Sequence, residues 1–180
     1  MSGRLVAVAV ACSLAGCGFS APSQPQPPPA PVQQAQRTHE YPSPAQPPQH
    51  AATASASAAA AVRNFAAAYI NWDAGTVTGR LRDLAADSVG QARSAMQLAA
   101  AQAAGDYELR RGGIANHGTV EAVAALQGSA QRFAVVTREW TTASLSTAYQ
   151  GLRPAWHVTV ATVMQQAPGQ WVVSCWQPES

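Results

Sequence analysis

The chain has 180 residues, 47% of them hydrophobic and only 11% charged; its eleven basic residues are all arginine and face nine acidic ones, for a net charge of +2. That balance excludes the basic stripe of a nucleic-acid-binding surface, since Arg110–Arg111 is the only adjacent basic pair, and no direct nucleic-acid partner is expected. No cluster of His, Cys and Asp has metal-ligand spacing, so neither a metal centre nor a cofactor is expected.

At the start, Arg4 precedes the apolar run LVAVAVACSL, Leu5 to Leu14. This is a basic n-region followed by an h-region of about ten residues. A membrane-spanning helix needs about twenty apolar residues, so residues 1–16 read as an export signal rather than an anchor. Leu14, Ala15, Gly16 and Cys17 resemble the lipobox of bacterial lipoproteins, in which a diacylglycerol is placed on the thiol and cleavage leaves that cysteine first. Cys17 is therefore the expected lipidation site. Each buried methylene contributes about 0.8 kcal/mol, and two acyl chains hold where one binds only reversibly. The expected location is the extracytoplasmic face of the cell membrane, with the membrane as a partner through Cys17.

Residues 17–55 form the expected tether. Ten of the thirteen prolines fall between Gly18 and His50, nine of them in QPQPPPAPVQQAQ and YPSPAQPPQH, and no glycine follows Gly18 there. Proline fixes its own backbone angle, lacks a donor and biases its predecessor away from helix. The segment reads as a disordered but extended spacer. At about 3.1 Å per residue, some thirty residues reach roughly 100 Å.

The folded domain is expected over 56–180. Val62, Phe65, Ala66, Tyr69 and Ile70 form the stripe of an amphipathic helix. Thr76 to Ala86 carries Val77, Leu81 and Leu84 on one side and reads as a second helix. Ser88 and Gln91 have capping-box spacing for a third, which runs without proline to Gly105 as a C-cap. After Gly112 and Gly113 the pattern turns to β, with runs at Ile114–Leu126, Arg132–Thr142, Ala155–Met164 and Gln170–Trp176, separated by turn formers. The last run, WVVSCW, is apolar on both faces and predicts a central strand, covered on both sides or buried at an interface. The predicted class is α+β: three helices packed on a curved four-stranded antiparallel meander, a cone with an open end, in a domain of about 120 residues.

The domain's candidate chemistry is sparse. Asp73, His117, Glu139 and His157 are the set from which a proton-transfer site would be drawn, but no spacing forces any two of them together. Alternation sends His157 and Trp156 to opposite faces of their strand. No catalytic residue is assigned. Cys175, with Cys17 acylated, has no intrachain disulfide partner and reads as a small buried hydrophobe. Trp72, Trp140, Trp156, Trp171 and Trp176 read as sheet-core packing before a ligand pocket or partner surface.

Several stretches carry a resemblance: FAAAYINWDAGTVTGRLRDLAADSVGQARSAM, RRGGIANHGTVEAV, AVVTREWTT, YQGLRPAWHVTVATV and WVVSCWQP, spanning about residues 58 to 177. They resemble a family of actinobacterial proteins encoded with conjugative or integrative elements. That family is similar in fold to the nuclear transport factor 2-like cones of extracytoplasmic scaffold proteins in type IV secretion machinery. The resemblance implies a non-enzymatic scaffold or assembly component whose partners are other proteins of an envelope-spanning machine. Two alternatives stand beside it: an isomerase- or lyase-type enzyme or small-molecule binder using the cone pocket, and an envelope interaction module unconnected with conjugation.

Overall fold

The structure, a computed structural model, describes residues 47–179. The segment expected as an export signal, Cys17 and the expected tether up to residue 46 lie outside the described residues.

Helix α1 (Ala58–Ile70) starts at Ser57, whose extended backbone and hydroxyl oxygen, accepting from Ala60 N at 3.2 Å, satisfy one of the free amides of the first turn. Its apolar stripe is buried as the periodicity predicts: Val62, Phe65, Ala66 and Ile70 are in the interior. The helix stops at Asn71. That side chain donates to Ala67 O at 2.9 Å and to Gly118 O at 3.1 Å, and accepts from Gly118 N at 3.0 Å. One amide thus closes the helix and presents a strand-like partner to the sheet.

A two-residue strand β1 (Trp72–Asp73) follows, then α2 (Val77–Ala86), α3 (Gly90–Gly105) and a six-residue helix α4 (Tyr107–Gly112). Neither β1 nor α4 is among the predicted elements, because each is shorter than the window over which periodicity can be read. The capping box predicted at Ser88 and Gln91 does not form. The cap residue is Val89, Ser88 Oγ donates back to Ala85 O, and Gln91 Oε1 accepts from Trp176 N in the sheet at 2.9 Å. Gly105 ends α3 as predicted, but the cap position is Asp106, whose carboxylate accepts from Leu109 N and so opens α4. Gly113 closes α4 at φ +59, the left-handed conformation that favours glycine.

The remaining strands are β2 (Ile114–Ala125), β3 (Arg132–Ala143), β4 (Ala155–Ala167) and β5 (Gln170–Pro178), with a 3-10 turn at Thr147–Tyr149. All pair antiparallel in the order β1-β2-β3-β4-β5, a five-stranded curled meander in place of the predicted four strands. Register shifts near Ala122 in β2 and near Val163 and Ala167 in β4 bend it.

WVVSCW is therefore an edge strand and not a central one. Its apolar character has another cause, because the free edge is covered. Trp171 exchanges backbone hydrogen bonds with Ser55, Val173 O accepts from Val89 N, and Gln91 takes Trp176 N. Residues 49–55, which composition places in the tether, are tied to the domain here as well, Gln49 Oε1 accepting from Gly90 N at 2.7 Å. Blocking the edge removes a template for association with another chain.

The core lies between the helices and one sheet face. Helix α1 crosses the four long strands and α3 lies on β5. Val62, Phe65, Leu81, Leu84 and Met96 meet Phe133, Val135, Ala161, Val163, Val173 and Trp176. The Trp176 ring packs on Phe65 and Tyr69 with centroids 5.0 and 5.5 Å apart, tilted and edge-on.

Candidate functional site

Strand parity decides what each face displays. On β3, Phe133, Val135, Thr137, Glu139 and Thr141 face the helices; on β4 the register sets His157, Thr159, Ala161 and Val163 beside them. Beyond the end of α1 the core gives way to a cavity of about 550 Å³. Tyr69, Val77 and Leu81 wall it on the helix side, Trp72, Asn116, Glu139, Thr141 and His157 on the sheet side, and Leu152 and Arg153 at the rim. A smaller chamber of about 160 Å³ shares Tyr69, Glu139 and His157 with it and continues to Thr137, Thr159 and Trp176.

Glu139 is the centre of this arrangement. Its Oε1 accepts from Thr137 Oγ1 at 2.6 Å and its Oε2 from Asn116 Nδ2 at 2.8 Å. Asn116, only 7% exposed, also donates to Ile70 O at 2.8 Å and accepts from Thr141 Oγ1 at 3.1 Å. A hydroxyl, an amide and a helix-terminal carbonyl thus fix one carboxylate. Gly118, directly opposite Glu139 in the sheet, makes room for it. A Cβ there would stand 2.9 Å from Glu139 Cγ, 2.9 Å from Ile70 Cδ1 and 3.0 Å from Arg138 O. The carboxylate has no cationic partner, for the ion pair found among the described residues is Arg111–Glu108 at 3.9 Å. Burial, and then the charge of Glu139, raise the Tyr69 phenol above its usual range. The indole N–H of Trp176, in the wall of the smaller chamber, is buried with no hydrogen-bond acceptor among the described residues.

Of the four residues in the sequence-derived set, the fold brings Glu139 and His157 to one cavity and separates the other two. Asp73 ends β1 at an exposed turn, its Oδ1 accepting from Gly75 N and Thr76 N at 2.8 and 2.9 Å. His117 is on the outer face, its ring 6.4 Å from that of Trp140. Asn116, Tyr69 and Thr137 were missed. Tyr69 reads in sequence as one more member of the α1 stripe, and a lone Asn or Thr in a strand gives no signal of a carboxylate across the sheet. Among the described residues, no three His, Cys, Asp or Glu side chains could hold a metal ion.

The outer sheet face departs from the core packing expected of the tryptophans. Trp176 alone is fully buried; Trp72 and Trp171 are half-buried, and Trp140 and Trp156 point outward. Trp156 is 62% exposed, Val158 44%, Met164 43% and Trp140 37%, so large apolar groups lie on the side without helices. Arg138, opposite Trp156 in the register, lies over its ring at 5.8 Å. Cys175 is half-buried and unbridged. No helix among the described residues is long and apolar enough to cross a membrane.

No protein-family model matches the chain, and no curated protein matches its sequence. Among solved structures, the VirB8 protein of Agrobacterium tumefaciens aligns with it at 14% identity and a TM-score of 0.46, over 67% of this chain and 90% of that one.

Proposed function

We propose that this protein is a membrane-tethered, extracytoplasmic lipoprotein whose α+β domain acts without catalysis as an assembly component of a conjugation or type IV secretion-like system. The observation that carries the scaffold reading is the outer sheet face. Trp140, Trp156 and Val158 are large, exposed and close together on the neighbouring strands β3 and β4, and exposed apolar groups gathered on one face mark interaction surfaces. Arg138 is the one charge between the two tryptophans, so the fitting partner is a protein surface that is apolar and carries a carboxylate to meet that guanidinium. Lipidation at Cys17 and the proline-rich spacer would hold this face outside the membrane. The link to conjugation rests on the resemblance of the segments between residues 58 and 177.

The test is Trp140→Ser with Trp156→Ser, two outward positions whose loss leaves the core intact. Copurification with other proteins of the machine should fall, with an unchanged melting temperature. Undiminished copurification would remove the outer face as the partner surface.

A second reading has its own support in the cavity around Glu139. A carboxylate held by two donors and facing about 550 Å³ of open space is the arrangement of a small-molecule site. The two readings are compatible, because they use opposite faces of one sheet.

A further inference from the structure

We infer that the cavity between α1, α2 and the sheet is a binding site for a small organic ammonium compound with an apolar body, the cation resting against Glu139. The inference is independent of the scaffold reading. Glu139 is half-buried and has no cationic partner among the described residues, while Arg138, its neighbour in sequence, points to the other face and lies on Trp156. Each carboxylate oxygen accepts one hydrogen bond, from Thr137 or Asn116, which leaves lone pairs for an ammonium N–H. Those two bonds pin the side chain, so little freedom is lost when a ligand arrives. Val77 and Leu81 on the helix wall and Trp72 on the neighbouring strand β1 offer branched aliphatic groups and an aromatic ring to a hydrocarbon body. The volume suits a ligand about the size of a phenylalkylamine or somewhat larger.

Charge favours a cation over an anion. The groups with charge or titration lining the cavity are Glu139, His157, Arg153 and Tyr69. Arg153 is on an exposed loop at the rim, where water and salt screen it, whereas Glu139 is sheltered and acts at shorter range through a lower effective dielectric.

The probes are phenethylammonium, its neutral isostere 2-phenylethanol, and phenylacetate, titrated into the full mature chain and followed by amide NMR shifts at Asn116, Thr141 and Leu81. Phenethylammonium should bind about tenfold more tightly than the alcohol, the size of one charge-assisted hydrogen bond. The preference should vanish in Glu139→Gln, which keeps both fixing bonds because its amide accepts from Asn116 and donates to Thr137. Ala155→Trp, at the exposed mouth, should abolish binding of every probe and covers the case in which the Gln variant fails to fold. Equal affinity for ammonium and alcohol, a preference that survives Glu139→Gln, or binding unaffected by Ala155→Trp would each overturn the inference.

Discussion

Replacing Asn116 with Ala tests whether the network under Glu139 is structural. The side chain makes three hydrogen bonds, to Ile70 O, Glu139 Oε2 and Thr141 Oγ1, at 2.8, 2.8 and 3.1 Å. A neutral bond contributes about 1 kcal/mol and one to a charged group about 1.5–3 kcal/mol. The losses are unequal. Glu139 faces the cavity and Thr141 is half-buried, so water can replace Asn116 at both. Ile70 O is in the interior at the end of α1, and its desolvation is left uncompensated. The net cost should be about 2–3 kcal/mol, or roughly 8–12 °C in melting temperature for a domain of this size. Asn116→Asp should be worse at neutral pH, since it sets two carboxylates side by side, and should recover when acid protonates one of them. Thermal denaturation followed by circular dichroism between pH 4 and 8 reads both. An Ala variant that melts within about 2 °C of wild type, or an Asp variant without acid recovery, would refute the reasoning.

Gly118→Ala pushes a methyl against Glu139 Cγ, Ile70 Cδ1 and Arg138 O from three sides, one of them rigid backbone, and should cost about 1–3 kcal/mol; a wild-type melting curve would contradict the packing described. Tyr69 supplies a pH dependence. Its folded-state pKa is raised by burial and then by Glu139, so its stabilising contribution is complete below the unfolded value of 10.0 and is lost as pH rises from there through the folded value. Urea midpoints from pH 9 to 11.5 should fall more steeply for wild type than for Tyr69→Phe, and parallel profiles would count against a buried phenol. Cys17→Ser should abolish incorporation of a fatty-acid probe and leave unprocessed or released protein, and persistent labelling would mean that Cys17 is not the anchor.

The sequence was most legible where a pattern repeated. The stripe through Val62, Phe65, Ala66 and Ile70 gave α1 its buried face, and the four long β runs begin where they were expected. What it could not supply was the side of the sheet that would be covered. Alternation put Trp156 and His157 on opposite faces, but the bulky apolar residue went outward and the imidazole inward. That choice belongs to the tertiary fold, in which α1 lies over the face carrying Thr159, Ala161 and Val163. The same holds for the site. Glu139 pairs with Ala155, so His157 is one same-face step away, a neighbourhood created by the β3–β4 register across a loop of eleven residues. WVVSCW misled for a related reason, since contacts from residues 55, 89 and 91 cover an edge that looks central in sequence.

The role in conjugation is tested most directly by transfer from the native host after clean deletion of the gene, complemented with wild type, Cys17→Ser, or Trp140→Ser with Trp156→Ser. Deletion should abolish transfer, wild type should restore it, and both variants should fail to do so despite normal protein levels. Wild-type transfer after deletion, with no paralogue to compensate, would contradict that role.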